Sequence, residues 1–307
     1  MTYFILMLGF VCLIVGANLF VDGSASLARI WKVPSLIIGL TIVAMGTSAP
    51  EASVSITAGL AGSNEIAVGN VIGSNIFNGM IVVGVCALIA SFAVDRKLLK
   101  RDIPVALLAA IVLSVMLFDF KLSRLEGMIL LLGMAGYIIA TIFDALASRK
   151  QEQEEQAASG NFWKSLLFIV IGLAMIVLGG DFVVDSASEI AASFGVSENL
   201  IALTIVAIGT SLPELVTSIT ASIKGEHGLA LGNAIGSNIF NILFILGLSA
   251  VLTPIQITPE SIYDAMILIG ISVVLLIFAF TRKTFTKKEG FICVAIYLMY
   301  TIYIIMR

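Results

Sequence analysis

The chain is a succession of ten apolar runs divided by short polar connections. The runs fall at residues 3–21, 34–60, 66–90, 103–118, 127–147, 165–187, 200–222, 228–252, 262–280 and 290–306. Segments of this kind read as helices that cross a hydrocarbon layer about 30 Å thick. The pattern therefore predicts an all-α membrane protein with ten transmembrane helices. The first run begins directly after Met1 and Thr2, without a basic leader, so it is read as the first transmembrane helix and not as a cleaved signal. Only one connection is strongly polar, residues 149–161, and it divides the chain into two groups of five helices, 1–148 and 162–307. It is expected to be a solvated cytoplasmic linker.

The two groups repeat one another. Thr41 to Glu51 reads TIVAMGTSAPE and Thr204 to Glu214 reads TIVAIGTSLPE; nine of the eleven positions agree. The same offset of 163 residues that relates Glu51 to Glu214 relates Val21-Asp22 to Val184-Asp185, and GNVIGSNIFN (Gly69 to Asn78) to GNAIGSNIFN (Gly232 to Asn241). A constant offset without gaps indicates duplication. Five is odd, so the second group enters the membrane from the opposite side, and the two are expected to be inverted repeats with discontinuous helices. The regions that carry the repeated motifs are residues 39–78 and 202–241.

Charge adds an orientation. With the N-terminus outside, fourteen of the seventeen lysines and arginines lie in inner connections and only Lys121, Arg124 and Arg307 lie outside. The positive-inside rule then makes both termini external. Composition agrees with a multi-pass protein of the plasma membrane in contact with lipid, since 59% of residues are hydrophobic and 12% charged. There is no basic patch for nucleic acid. Cys12, Cys86 and Cys293 stand singly in apolar runs and read as small packing residues. His227 reads as a solvated connection histidine, and Trp31 and Trp163 as interfacial anchors.

The candidate chemistry lies in the repeated motifs. Pro50 and Pro213 are the only two of the six prolines inside spans; each removes a backbone hydrogen bond and frees carbonyls near Gly46 and Gly209. Broken backbone at membrane depth is tolerated where it lines a cavity or an ion site. Freed carbonyls, Thr47 and Ser48, followed by Glu51, make a cluster of oxygen donors, which Thr210, Ser211 and Glu214 repeat. On the next helix Asn70, Ser74 and Asn78 form one polar stripe, repeated by Asn233, Ser237 and Asn241. Gly69 with Gly73, and Gly232 with Gly236, permit close approach of a neighbouring helix. An all-oxygen set suits hard cations such as Ca²⁺ and Na⁺. Two glutamates balance one Ca²⁺, whereas monovalent ions must enter at least in pairs.

The two GTSxPE motifs and the two GNxxGSNxxN motifs resemble those of the Ca²⁺/cation antiporter superfamily, in its sodium/calcium exchanger branch, and the layout is similar over the whole chain. The resemblance implies that Glu51 and Glu214 are the central Ca²⁺ ligands. It further implies that Thr47, Ser48, Thr210, Ser211, Ser74 and Ser237 line the Na⁺ and Ca²⁺ sites, with the carbonyls of Ala44 and Ala207. Asn78 and Asn241 complete the candidate metal set. The position of Asn241 is acidic in some relatives, including potassium-dependent ones, so asparagine here removes a third charge. The long regulatory loop of eukaryotic relatives is also missing.

The function expected is an antiporter exchanging Na⁺ for Ca²⁺ by alternating access, acting as a monomer and needing no cofactor. Proton/calcium exchange on the same glutamates is the near alternative, and a passive cation channel a more distant one. An enzyme is not expected: one histidine allows no HExxH motif, and no Ser-His or Cys-His pair is apparent in the spans.

Overall fold

The structure, a computed structural model, describes residues 1–152, 161–196, 205 and 207–306. Its framework is helical throughout. In chain order the helices are α1 Thr2–Trp31, α2 Ser35–Thr47, α3 Ala49–Leu60, α4 Glu65–Ile89, α5 Leu98–Asp119, α6 Arg124–Glu152 and α7 Phe162–Ser193. They continue with α8 Ala207–Gly209, α9 Leu212–Ile223, α10 His227–Leu252, α11 Pro259–Arg282 and α12 Lys287–Met306. Among the described residues eight helices are long and apolar enough to cross a membrane, and the pair α2 and α3, bent by 48° at its break, makes a ninth. The predicted run 200–222 is described only in part, as α8 and α9; residues 202–204 and 206, the front of the second motif, lie outside the described residues.

Several boundaries differ from the sequence expectation. The first run extends ten residues past its apolar stretch because Gly23, Ser24 and Ala25 stay buried and continue the helix. Four residues of the predicted linker, 149–152, prolong α6, residues 153–160 lie outside the described residues, and Asn161 caps α7 by accepting from the backbone N–H of Trp163 and Lys164. His227 is not in a connection: it opens α10, stacked on Phe92 at 5.6 Å. Arg101, expected in a connection, lies in the first turns of α5. It pairs with the buried Asp102 at 2.7 Å and with Asp144, while Tyr137 donates to Asp102 at 3.2 Å. A buried carboxylate needs such partners.

Two short antiparallel ribbons tie connections together. Strand β1 (Phe92–Ala93) pairs with β4 (Thr284–Phe285), and β2 (Lys121–Leu122) with β3 (Ile255–Gln256). Helices α1 and α7 pack along their lengths because glycines let their backbones meet. A Cβ at Gly16 would lie 2.8 Å from the carbonyl oxygen of Gly172, and one at Gly179 2.8 Å from that of Gly9. Phe20 on α1 is fully buried and reaches towards Gly46 of α2. Ion pairs between Lys224 and Asp22 (2.7 Å) and between Arg29 and Glu226 (3.6 Å) link the end of α1 to the turn between α9 and α10.

Against this pair lies a core of α2, α3, α4, α9 and α10. In it Gly232 and Gly236 face α2: a Cβ at Gly232 would stand 2.6 Å from the carbonyl oxygen of Leu36. The expected close approach is therefore present at the second glycine pair. At Gly69 and Gly73 a Cβ would meet no atom of the described residues within 4 Å.

Candidate functional site

The site forms where two helices break. Between α2 and α3 the chain turns at Ser48 (φ −82°, ψ 10°), and between α8 and α9 it turns at Ser211 (φ −92°, ψ 5°). The breaks fall two residues before Pro50 and Pro213, not at them. Each proline occupies the first turn of the following helix, where its missing N–H would have had no partner. The break ends α2 at the buried Thr47, so the partially negative C-terminal end of that helix lies inside the core. It also sets Glu51 and Glu214 in the first turns of α3 and α9, where the helix N-terminus favours a carboxylate.

Both glutamates are fully buried, and each is held by a serine from the other half. Ser48 Oγ donates to Glu214 Oε1 at 2.8 Å, and Ser211 Oγ donates to Glu51 Oε1 at 3.0 Å. Serines of the polar stripes add a second bond each, Ser74 to Glu51 Oε1 and Ser237 to Glu214 Oε1, both at 3.4 Å. Among the described residues, Oε2 of each glutamate is buried with no hydrogen-bond partner. A buried carboxylate oxygen without a donor is costly, and two of them in one core suit a cation. Among the described residues no group of three His, Cys, Asp or Glu side chains converges, so the charge here is carried by two carboxylates among neutral oxygens.

The remaining candidates fall into two groups. Thr47, buried, and Thr210, half-buried, stand at the breaks and donate to Asn233 Oδ1 (2.9 Å) and Asn70 Oδ1 (3.3 Å). The carbonyl of Ala44 accepts from the Ser48 backbone N–H at 3.1 Å and is the alternative acceptor, also at 3.4 Å, for the one hydrogen of Ser237 Oγ; Ala207 lies in α8. One turn further along α4 and α10 a second layer consists only of amides. Asn75 and Asn238 each donate to the other's carbonyl, at 3.0 and 3.1 Å, and Asn241 Nδ2 donates to Asn75 Oδ1 at 3.0 Å. Asn78 is fully buried, and among the described residues neither of its amide atoms nor Asn241 Oδ1 has a hydrogen-bond partner.

Thus ten of the candidates are buried in the core and Thr210 is half-buried, and the direct bonds unite Glu51, Glu214, Ser48, Ser211, Ser74 and Ser237. The candidate set omitted Asn70 and Asn233, which bridge the threonines to the glutamate backbones. Ser55, Ser218, Asn75 and Asn238 were also passed over. The signal that finds them is the offset itself: each is a polar residue in an apolar run, present in both halves 163 positions apart.

A family model described as sodium/calcium exchanger protein matches residues 1–143 and 164–306. Among curated relatives, the sodium/calcium exchanger MaX1 of Methanosarcina acetivorans is 32% identical, with 98% of this chain and 97% of that protein aligned. A putative antiporter, CaxA of Alkalimonas amylolytica, is 42% identical over 82% of this chain and 81% of its own length. Among solved structures, the sodium-calcium exchanger NCX_Mj superposes with a TM-score of 0.85 at 32% identity, covering 97% of each chain. A match of this breadth, carried by two copies of one broken-helix motif, means that the chain belongs to the sodium/calcium exchanger family.

Proposed function

We propose that this protein exchanges Na⁺ for Ca²⁺ across the plasma membrane by alternating access, with both ions competing for the site at Glu51 and Glu214. The observation that carries the reading is the pair of buried glutamates, each bonded through Oε1 to a serine of the opposite half and each with Oε2 unpartnered among the described residues. One Ca²⁺ between them neutralises the pair. Na⁺ achieves the same only as two or more ions, drawing on neutral oxygens from Thr47, Ser48, Ser74, Asn78 and the Ala44 carbonyl, and from Thr210, Ser211, Ser237, Asn241 and the Ala207 carbonyl. Either filling satisfies the carboxylates and both together overload them, which makes transport an exchange. Proton coupling and a passive pore have no observation of their own in their favour.

The same proposal takes the chain as ten crossings in two inverted halves, 1–148 and 162–307, joined by the linker at 149–161. The ribbons support it. β1 and β2 are separated by one crossing, α5, so the two ribbons lie at opposite ends of the bundle. β2 and β3 share an end only if the chain crosses an even number of times between them. Helices α6, α7 and α10 supply three crossings, so a fourth falls between α7 and α10, where α8 and α9 are described. The end with β1 and β4 carries the lysine- and arginine-rich connections and is taken as cytoplasmic, leaving both termini outside. The α1 and α7 pair, meeting the core at Phe20, is the part that moves, and the protein acts as a monomer.

Equilibrium ⁴⁵Ca²⁺ binding to the purified protein tests the reading. Bound Ca²⁺ is expected to fall as Na⁺ rises, with a Hill coefficient for Na⁺ above one. Binding indifferent to Na⁺ would refute a shared site.

A further inference from the structure

We propose that Asn70 and Asn233 are positioning residues that hold the hydroxyl hydrogens of Thr210 and Thr47 away from the transported ion. The inference rests on the site assignment above and concerns residues that do not touch the ion themselves.

A hydroxyl carries one hydrogen and two lone pairs. It can serve a cation only when the hydrogen is directed to another acceptor; turned the other way, it presents a positive end to the ion. The Thr47 hydroxyl has the Glu214 carboxylate within reach and three further acceptors near Oγ1: Asn233 Oδ1 at 2.9 Å, the Val43 carbonyl at 3.1 Å and the Ala44 carbonyl at 3.4 Å. Of these three Asn233 is the closest, and a hydrogen given to it points across to the other half instead of back along α2.

The orientation of the Asn233 amide is fixed from behind. Its Nδ2 donates to the backbone carbonyl of Glu214 at 3.3 Å and to Ser218 Oγ at 3.0 Å, and Ser218 in turn spends its own hydrogen on the Ala230 carbonyl at 3.2 Å. A flipped amide would set oxygen against the Glu214 carbonyl. The chain of donors therefore runs one way, from Thr47 to the Asn233 oxygen, and from the Asn233 nitrogen to α9. Asn70 repeats it. Thr210 Oγ1 donates to Asn70 Oδ1 at 3.3 Å, and Asn70 Nδ2 donates to the Glu51 carbonyl at 3.3 Å and to Ser55 Oγ at 2.9 Å.

Each asparagine thus grips the broken helix of its own half with its NH₂ and the threonine of the other half with its oxygen. That couples the two breaks: moving α3 or α9 turns the hydroxyl opposite. Na⁺ depends on such neutral donors more than Ca²⁺ does, because Ca²⁺ is held chiefly by the two charges.

The test is a double-mutant cycle on the purified full-length protein, read as the Na⁺ concentration that releases half of the bound ⁴⁵Ca²⁺. Thr47→Val and Asn233→Ala are each expected to raise that concentration roughly 10-fold, the usual cost of losing a ligand's supporting partner. The double variant should be no worse than Thr47→Val alone, because the asparagine acts through the threonine. Asn233→Asp retains the acceptor oxygen, so its Thr47→Val coupling should survive even though the added charge alters affinity. The cycle of Thr210→Val with Asn70→Ala repeats the measurement should Asn233→Ala not fold. Effects that multiply in the double variant, or an Asn233→Ala protein with unchanged Na⁺ competition, would overturn the positioning role and leave the site assignment standing. A Thr47→Val protein with unchanged Na⁺ competition would overturn the assignment of Thr47 and the proposal with it.

Discussion

Glu51→Gln is expected to reduce Ca²⁺ affinity by on the order of 100-fold or more and to abolish Ca²⁺ transport, while the protein still folds. Glutamine has the shape of glutamate, and its oxygen can still accept from Ser211 and Ser74 as Glu51 Oε1 does at 3.0 and 3.4 Å. What is lost is one of two negative charges in a fully buried place. A divalent ion bound there keeps one positive charge without a counter-charge, and an uncompensated buried charge costs about 3–5 kcal/mol, or two to four decades in affinity. Glu214→Gln should behave alike, because Ser48 and Ser237 hold Glu214 Oε1 in the same manner. Equilibrium ⁴⁵Ca²⁺ binding together with a thermal melt distinguishes this outcome from simple unfolding. A Glu51→Gln protein that exchanges Ca²⁺ at the normal rate would remove the central ligand from the account.

The second large effect is on assembly. Gly236→Val is expected to destabilise the protein by about 3 kcal/mol or more and to lower transport even in the fraction that folds. A Cβ at Gly236 would lie 2.8 Å from both the Cα and the carbonyl oxygen of Leu40 and 2.9 Å from Ala44 Cβ. Those atoms are the backbone of α2 and the small residue next to the break, so no side-chain rotation relieves the overlap. α2 must move off α10, which carries the Ala44 carbonyl away from Ser237. Gly270→Ala on α11, where a Cβ meets no described atom within 4 Å, is the matched control, and melting temperatures of the two variants measure the difference. Equal stability would mean that the two helices are not held at this separation.

How much of this was readable beforehand depends on the kind of interaction. Glu51, Glu214 and the Thr-Ser pairs were legible because a carboxylate inside an apolar run is expensive and its repetition 163 residues later is improbable without a role. The stripe of Asn70, Ser74 and Asn78 was legible as a helix face. Spacing alone could not say that Ser74 reaches Glu51 while Asn70 reaches a threonine of the other half, since that depends on how the two halves cross. Asn75 and Asn238 lie off the stripe, and their reciprocal bonds depend on the packing of α4 against α10. Periodicity also misjudged the break, since Pro50 marks the first turn after it and Ser48 makes the turn. Strands of two residues are too short to leave a pattern. Arg101 was counted among the connection charges because Asp144, far along the chain, meets it only once α5 and α6 pack, and the same packing buries its neighbour Asp102.

The central claim is that a Na⁺ gradient drives Ca²⁺ through this protein. It is tested most directly by ⁴⁵Ca²⁺ uptake into proteoliposomes loaded with Na⁺ and diluted into Na⁺-free buffer, beside vesicles that carry only a pH gradient. The account predicts uptake in the first set, none above background in the second, and none in either set for Glu51→Gln. Uptake driven by the pH gradient alone, or flux that needs neither gradient, would contradict it.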